Sequence, residues 1–182
     1  MMRTIRTFVV LGVFFLSSNA SAAVPGAYRL FAEKYQVPAE LLFSICVQES
    51  GKGYNGRILP WPWTLNVAGQ GRYFDSREEA LEALNQVIEG GSCRVDIGIC
   101  QVHWCSHRHN FTSPDALLDP YVNIEYAARL LSEEYRRASG QQHERWWEAV
   151  GRYHSPTPTL AEQYRSRVKA RWLSLVNLEG AP

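Results

Sequence analysis

The alternation of apolar and polar positions along the chain predicts a protein built mainly from helices. Helix-start signals precede several of the apolar stretches, namely a proline at 38, a Ser76-x-x-Glu79 capping box, Asp119-Pro120 and a Thr159-x-x-Glu162 capping box. Glycine pairs after two of the stretches are typical helix stops. We predict helices over residues 28–35, 38–50, 76–89, 121–138, 143–154 and 159–176.

A different pattern separates the second and third helices and predicts strands. Residues 63–67 and 72–74 flank a glycine-containing segment, 68–71, which favours a hairpin with a four-residue turn. Residues 95–104 supply a third strand. The sequence has no internal repeat and no low-complexity linker. We therefore expect one domain of the α+β class, mostly helical, with a small antiparallel β-sheet.

The first 22 residues have the layout of a secretory signal peptide. Arg3 and Arg6 precede an apolar run over 8–16, and Ala20-x-Ala22 forms a cleavage site. A membrane anchor is the alternative, but the run is much shorter than the roughly 20 residues that span a bilayer. No cysteine follows the run to carry a lipid. We expect an exported protein of residues 23–182, located in the periplasm, without a membrane span.

Charge and composition exclude several classes of function. The chain of 182 residues has a net charge of +1, so it lacks the basic excess that nucleic-acid binding favours. Loss of the two leader arginines would make the mature protein slightly acidic. The 46% hydrophobic content is typical of a globular domain and excludes a disordered chain.

Export also affects how the four cysteines are interpreted. An even number in an oxidising compartment favours two disulfides, and the residues alone leave all three pairings open. The alternative is a zinc site formed by the cysteines and histidines between 93 and 109, but their spacing matches no standard zinc module. We predict no metal and no cofactor. The cysteines are Cys46, Cys93, Cys100 and Cys105.

One carboxylate lies on the apolar stripe of the second helix. Glu49 follows Leu42, Ile45 and Cys46 at helical spacing, which turns it toward the core or a cleft floor. Burial and the negative end of the helix dipole would both raise its pKa. A carboxyl group that is protonated near neutral pH is a candidate general acid. The alternative is a glutamate that reaches solvent or pairs with an arginine at the helix end.

Aromatic residues near this helix end favour a carbohydrate ligand. Trp61, Trp63, Tyr73 and Trp104 lie in segments that the pattern assigns to loops or strands. Aromatic faces in a cleft stack on the apolar C–H surface of sugar rings. Packing in the core is the alternative for each of them.

Four sequence blocks follow one another along the chain. They are Leu41-Leu42-x-x-Ile45-x-x-x-Glu49-Ser50, the segment 96–102 containing Gly98 and Gln101, the segment 123–131 beginning with Asn123-Ile124, and the segment 149–155 containing Tyr153. In this order the blocks resemble segments of the soluble lytic transglycosylases. Residues 60–67 further resemble members encoded with conjugative elements and with type IV secretion or pilus systems.

The resemblance implies a lysozyme-like fold and an enzyme that cleaves peptidoglycan glycan strands. Such enzymes break the β-1,4 bond after N-acetylmuramic acid and form a 1,6-anhydro end without water. Carried over by position, Glu49 is the sole catalytic acid and later the base, and Ser50 orients the acid or the substrate. Gln101 would hydrogen-bond the sugar, and Tyr153 would lie beside the reacting centre. Components of a secretion or conjugation apparatus are the further expected partners.

The chain departs from the family pattern at Cys100 and at His154, which stands where the family has an asparagine. Cys100 replaces a methionine next to Gln101, and the implied fold would then pair Cys46 with Cys100 and Cys93 with Cys105. His154 either contacts the substrate or caps a helix end. His103, together with Trp104, either bounds the sugar cleft or packs at a helix start.

The sequence allows alternatives for two aspartates, for a basic helix segment and for the reaction itself. Asp96 and Asp75 are possible second carboxylates, although a strand-entry turn and a helix cap are the more ordinary roles. The basic residues from 165 to 171 form either a solvated helix face or a dock for anionic peptidoglycan or a secretion partner. The alternatives to a transglycosylase are a water-using muramidase and a non-catalytic peptidoglycan-binding assembly protein.

Overall fold

The computed structural model describes residues 24–179, and the predicted signal peptide, residues 1–22, lies outside this range. The chain is mostly helical with small antiparallel sheets, which confirms the predicted α+β class. The helices are α1 (Gly26–Tyr35), α2 (Ala39–Ser50), α3 (Arg77–Glu89), α4 (Trp104–His107), α5 (Pro120–Arg137), α6 (Gln142–His154) and α7 (Pro158–Glu179). The strands are β1 (Gly51–Tyr54), β2 (Arg57–Pro60), β3 (Thr64–Val67), β4 (Gln70–Tyr73), β5 (Val95–Ile97) and β6 (Val102–His103).

The helix starts follow local capping chemistry in two of the predicted cases. Ser76 caps α3 by accepting a hydrogen bond from the Glu79 backbone N–H, and Asp119 caps α5 in the same way. The capping box predicted at Thr159 is wrong, because α7 already begins at Pro158. A proline at the first helical position replaces that cap, since its fixed φ suits a helix start.

The predicted hairpin at residues 63–74 is confirmed, but its turn is shorter than expected. Val67 pairs with Gln70, so only Ala68 and Gly69 form the turn, both with positive φ. Such a two-residue turn matches the twist of the two strands. The third predicted strand is two short strands, β5 and β6, and the sheet order is β4-β3-β5-β6.

A second hairpin, β1–β2, was not predicted. Its turn is Asn55-Gly56, which also has positive φ at both positions. This dipeptide is the strongest short-range hairpin signal, and the sequence contained it. The hairpin follows directly after the helix that carries Glu49.

The core has two parts, a larger cluster among the helices and a smaller one at the four-stranded sheet. Helices α1, α2, α5, α6 and α7 enclose the larger cluster, while the four-stranded sheet packs with α3 around the smaller one. The Cys46–Cys100 disulfide ties α2 to the turn after β5, and the Cys93–Cys105 disulfide lies beside the sheet. Both pairings are those that the resemblance implied. Between residues 24 and 179, no helix is long and apolar enough to cross a membrane.

Candidate functional site

A cleft of about 550 Å³ lies where the helical part of the molecule meets the four-stranded sheet. This volume falls within the range of roughly 300–1,000 Å³ that is common for ligand sites. Two sets of side chains line it. We call Glu49, Tyr153 and His154 the helix wall, and Asn66, Asp96, Gln101 and His103 the sheet wall.

Glu49 lies in the last turn of α2, at the end of the predicted apolar stripe. Leu42 and Ile45 on this stripe are fully buried. The Glu49 carboxyl group accepts a hydrogen bond from the hydroxyl of Tyr164, with 2.5 Å between Tyr164 Oη and Glu49 Oε1. Tyr164 belongs to α7 and is itself buried, so two helices hold the carboxyl group in place.

The protonation of Glu49 is tuned by opposing effects. Burial raises the pKa of Glu49 to about 7, and the negative charge of Asp96 also raises it. The hydrogen bond from Tyr164 and the positive charge of Arg167 lower the same pKa. A carboxyl group with a pKa near 7 exchanges protons readily at neutral pH. It can therefore act first as an acid and then as a base.

His154 contacts Tyr164, the tyrosine that holds the Glu49 carboxyl group. Its ring stacks on the ring of Tyr164, with centroids 4.5 Å apart and planes within 4° of each other. Burial lowers the pKa of His154, which favours the neutral imidazole. Of the two roles left open for His154, the structure places its ring at the cleft, next to the tyrosine that holds the acid.

The sheet wall carries a second carboxylate with different partners. His103 Nδ1 lies 2.7 Å from Asp96 Oδ1, and Asn66 Nδ2 donates to Asp96 Oδ2 over 3.1 Å. The three residues are cross-strand neighbours, because Asp96 pairs with Asn66 on β3 and with His103 on β6. The expectation that Asp96 turns the strand entry is wrong, since it lies in the middle of β5 and lines the cleft.

The other possible second carboxylate, Asp75, lies elsewhere. Its side chain is 88% exposed and forms an ion pair with Lys52. Its backbone N–H donates to the Glu79 side chain at the start of α3, as expected for a helix-start residue. Asp75 is not among the residues that line the cleft.

Gln101 occupies a constrained backbone position between β5 and β6. Its φ is 51°, and its side-chain amide donates to the carbonyl oxygens of Thr64 and Gly98 over 3.0 and 2.8 Å. A left-handed conformation in a non-glycine residue persists where its surroundings enforce it. These two hydrogen bonds orient the side-chain amide while the residue lines the cleft.

The buried Asn123 clamps the turn that carries Gln101. Its side chain accepts from the Cys100 N–H and donates to the carbonyl oxygens of Ile97 and Leu117. Gly98 has a φ of +83°, and a Cβ there would lie 2.3 Å from Asn123 Nδ2. Only glycine fits this approach. The resemblance contained Asn123 but assigned it no role.

Tyr153 and Ser50 fasten the two walls to each other. The Tyr153 hydroxyl donates to the carbonyl oxygen of Cys100 over 3.0 Å while the residue lines the cleft. Ser50 is fully buried, and its hydroxyl donates to the Ile99 carbonyl oxygen and accepts from the Trp61 N–H. This geometry favours the orienting role of Ser50 over contact with a ligand.

The aromatic residues expected around the acid do not line the cleft. Trp61 and Trp63 contact each other edge to face, and Trp61 Nε1 donates to the Phe74 carbonyl oxygen. Trp63 packs against the smaller core cluster, and Trp104 is buried in it. Within the described range, the residues that line the cleft include none of these three nor Tyr73. Stacking of a sugar on these four side chains therefore stays a prediction, and it would have to take place beyond the residues that line the cleft.

Sequence reasoning missed Tyr164 and Asn66 as parts of the site. Tyr164 packs in the larger core cluster from α7. Its hydroxyl was the available signal, because a buried tyrosine hydroxyl normally has a hydrogen-bond partner. Nothing in the sequence marked Asn66, since its role depends on strand register.

The described residues contain no cluster of three or more histidine, cysteine or acidic side chains placed to hold a metal ion. The two disulfides use the thiols that the zinc alternative would need. Comparisons of the chain with models of protein families, with curated proteins and with solved structures found no match.

Proposed function

We propose that this protein is a peptidoglycan lytic transglycosylase with a lysozyme-like fold, acting in the periplasm. The observation that carries the proposal is the Glu49 carboxyl group, which has a pKa of about 7 and lies in a cleft. Gln101 and Tyr153, which the resemblance also implicates, line the same cleft although they are far apart in sequence. The two disulfides are typical of a protein in an oxidising compartment.

The reaction needs one carboxyl group that gives up a proton and later takes one back. Glu49 protonates the oxygen of the glycosidic bond, and the bond between that oxygen and the muramic C1 breaks. The muramic 6-hydroxyl then attacks C1 and forms the 1,6-anhydro ring, while its proton passes to the Glu49 carboxylate. The acid is thereby regenerated, and no water is consumed.

The remaining side chains position the acid and the sugar in this scheme. Tyr164 donates a hydrogen bond that stabilises the Glu49 carboxylate formed after the first proton transfer. Gln101 has its amide nitrogen held by two carbonyl oxygens, which presents its side chain to the sugar in one orientation. Local opening of the wall for a conjugation or secretion apparatus is the physiological role that we propose.

A water-using muramidase is the second candidate, and the position of Asp96 favours it. Asp96 lines the same cleft as Glu49 and contacts His103. Enzymes that hydrolyse glycosidic bonds with inversion use a second carboxylate to activate water. In that case Asp96 would be the base, and Glu49 would be only the acid.

Mass spectrometry of digested sacculi distinguishes the two reactions. We expect the purified protein to release muropeptides with anhydro ends, and Glu49→Gln to release none while it stays folded. Products heavier by one water would establish the muramidase. If the folded wild-type protein binds sacculi but releases no product, both reactions are contradicted and the non-catalytic alternative is left.

A further inference from the structure

A second cavity, which we call the groove, lies on a different side of α2 from the cleft. It has a volume of about 550 Å³, and α2, α7 and the β1–β2 hairpin form its walls. Phe43 and Val47 contribute from α2. At about 100° per residue, these two positions lie roughly 120–160° around the helix from Glu49. A ligand in the groove therefore contacts the helix that carries the acid without entering the cleft.

The groove runs along one edge of β2. Three consecutive strand residues, Arg57, Ile58 and Leu59, all line it. Side chains of neighbouring strand residues point to opposite faces, so a cavity that meets all three lies at the strand edge. The other edge of β2 is paired with β1, and this sheet has two strands in the described part of the chain. An unpaired strand edge presents backbone donors and acceptors to a further strand.

The side chains around the groove are apolar and cationic, apart from Ser44 and Ser174. Phe43, Val47 and Leu175 form a buried apolar floor, and Ile58 is 48% exposed beside it. The ionisable groups that line the groove are two arginines, Arg57 and Arg171. Neither forms an ion pair or a side-chain hydrogen bond with another residue in 24–179.

Two arginines outside the groove do have partners. Arg165, on the same helix as Arg171, pairs with Glu162, and Arg152 pairs with Glu134 and Glu148. Within the described part of the chain, Arg57 and Arg171 therefore have no carboxylate partner, and they lie next to an apolar floor. This combination is complementary to a ligand that has both apolar groups and carboxylates.

We propose that the groove binds an extended segment of a partner protein in which apolar side chains alternate with carboxylates. The segment adds as a strand to the free edge of β2, its apolar side chains pack on the α2–α7 floor, and its carboxylates pair with Arg57 and Arg171. Strand addition of this kind takes affinity from main-chain hydrogen bonds and specificity from alternate side chains. Because α7 also carries Tyr164, the partner contacts both helices that hold Glu49. The surface docks the enzyme and leaves the cleft open.

Peptide selection on the purified protein tests this surface. The probe is a displayed library of random twelve-residue peptides, counter-selected on an Arg57→Glu/Arg171→Glu double variant. We expect enriched sequences that alternate apolar and acidic residues. After synthesis, they should bind the double variant about tenfold more weakly than the wild type, as two lost ion pairs imply. The matched control, Arg94→Glu/Arg136→Glu, changes the same charge at exposed positions away from the groove and should bind as the wild type does.

A second probe tests strand addition itself. N-methylation of every second residue in the enriched peptide removes the backbone N–H donors along one edge of the peptide strand. The methyl groups can be placed in two registers, one for each edge, and we expect one of the two methylated peptides to lose binding. Equal binding in both registers, equal binding to the double variant, or no enrichment would overturn the proposal. A dimer in sedimentation that the double variant abolishes would assign the groove to a second copy and would also overturn it. Digestion of sacculi should be unchanged in these variants, so a failure here is distinguishable from a failure of the proposed enzymatic function.

Discussion

The helix wall and the sheet wall of the cleft each contribute one carboxylate, but they give it opposite surroundings. On the helix wall, Glu49 has a neutral hydroxyl as its hydrogen-bond donor, and burial raises its pKa to about 7. On the sheet wall, Asp96 contacts an imidazole and accepts from an amide. The comparison teaches that two carboxylates of one cleft can differ in burial and in partners, and that burial lets Glu49 hold a proton near neutral pH.

Replacement of the acid on the helix wall has the largest expected effect. Glu49→Gln keeps the shape and can still accept from Tyr164, but it cannot donate a proton. We expect sacculus digestion to fall by about 10²- to 10⁴-fold, the usual contribution of a general acid. A zymogram and quantified muropeptide release measure this loss.

The same variant tests the ionisation of Glu49 through stability. The pKa of Glu49 in the folded protein is above its ordinary value of 4.5, so the folded state binds this proton more tightly than the unfolded state does. The resulting stabilisation of the fold is complete below pH 4.5 and is lost as pH rises through about 7. At pH 8 we expect the unfolding free energy of Glu49→Gln to exceed that of the wild type by about 1–3 kcal/mol. Urea denaturation at pH 5 and pH 8 provides the measurement. An equal difference at the two pH values would show that Glu49 ionises normally.

Separation of the two walls should have the next largest effect. The Cys46–Cys100 disulfide joins α2 to the segment that carries Gln101 and closes 54 residues, while Cys93–Cys105 closes only 12. We expect Cys46→Ala/Cys100→Ala to lower the unfolding free energy by about 3–5 kcal/mol, given the longer loop. Cys93→Ala/Cys105→Ala is the matched control and should cost less. Urea denaturation and sacculus digestion rates are measured for both double variants. Equal losses of activity in the two variants would contradict a specific role of the Cys46–Cys100 disulfide at the site.

Loss of the Tyr164 hydroxyl should shift the pH dependence in a defined direction. The hydrogen bond from Tyr164 lowers the pKa of Glu49, so Tyr164→Phe should raise that pKa above about 7. The acid then stays protonated to higher pH, and the alkaline limb of the pH–rate profile moves upward. We also expect the maximal rate to fall about tenfold because the carboxyl group is less well oriented.

A buried tyrosine that does not line the cleft provides the control for this change. Tyr28 is buried in the larger core cluster, and its hydroxyl has no hydrogen-bond partner among the described residues. Tyr28→Phe should leave the profile unchanged. An alkaline limb that stays in place or moves downward in Tyr164→Phe would show that Tyr164 does not tune the acid.

Replacement of the carboxylate on the sheet wall should have the smallest effect. The charge of Asp96 raises the pKa of Glu49, so Asp96→Asn should lower that pKa and move the alkaline limb downward. We expect the anhydro product to persist and the rate to fall by less than about tenfold. Asp75→Asn, at an exposed site outside the cleft, is the control. A loss as large as that of Glu49→Gln would instead identify Asp96 as the base of a muramidase.

Local sequence was sufficient for much of the fold and for one member of the site. The helix bounds followed from caps and from the period of apolar residues, as at Ser76 and Asp119. The position of Glu49 followed from its place on a helical stripe. These features depend on residues within one or two turns of each other, and the sequence order contains that information directly.

The misassigned residues all depend on contacts across the chain. Tyr164 reaches Glu49 over 115 positions, and two of the aromatic residues expected in the cleft, Trp63 and Trp104, pack in the sheet core. Asp96 was expected at a turn, but it lies within a strand at the cleft because β5 pairs with β3 on one side and with β6 on the other.

Two kinds of information are therefore separate in this molecule. Spacing along the chain was enough to identify an acid on an apolar helix face, since a helix presents residues three and four apart on one side. The chemistry of that acid depends on its desolvation and on a hydroxyl, a carboxylate and a guanidinium brought from other elements. Electrostatic effects act through distance in space, so the pKa of Glu49 emerges only when the helices and the sheet have packed together.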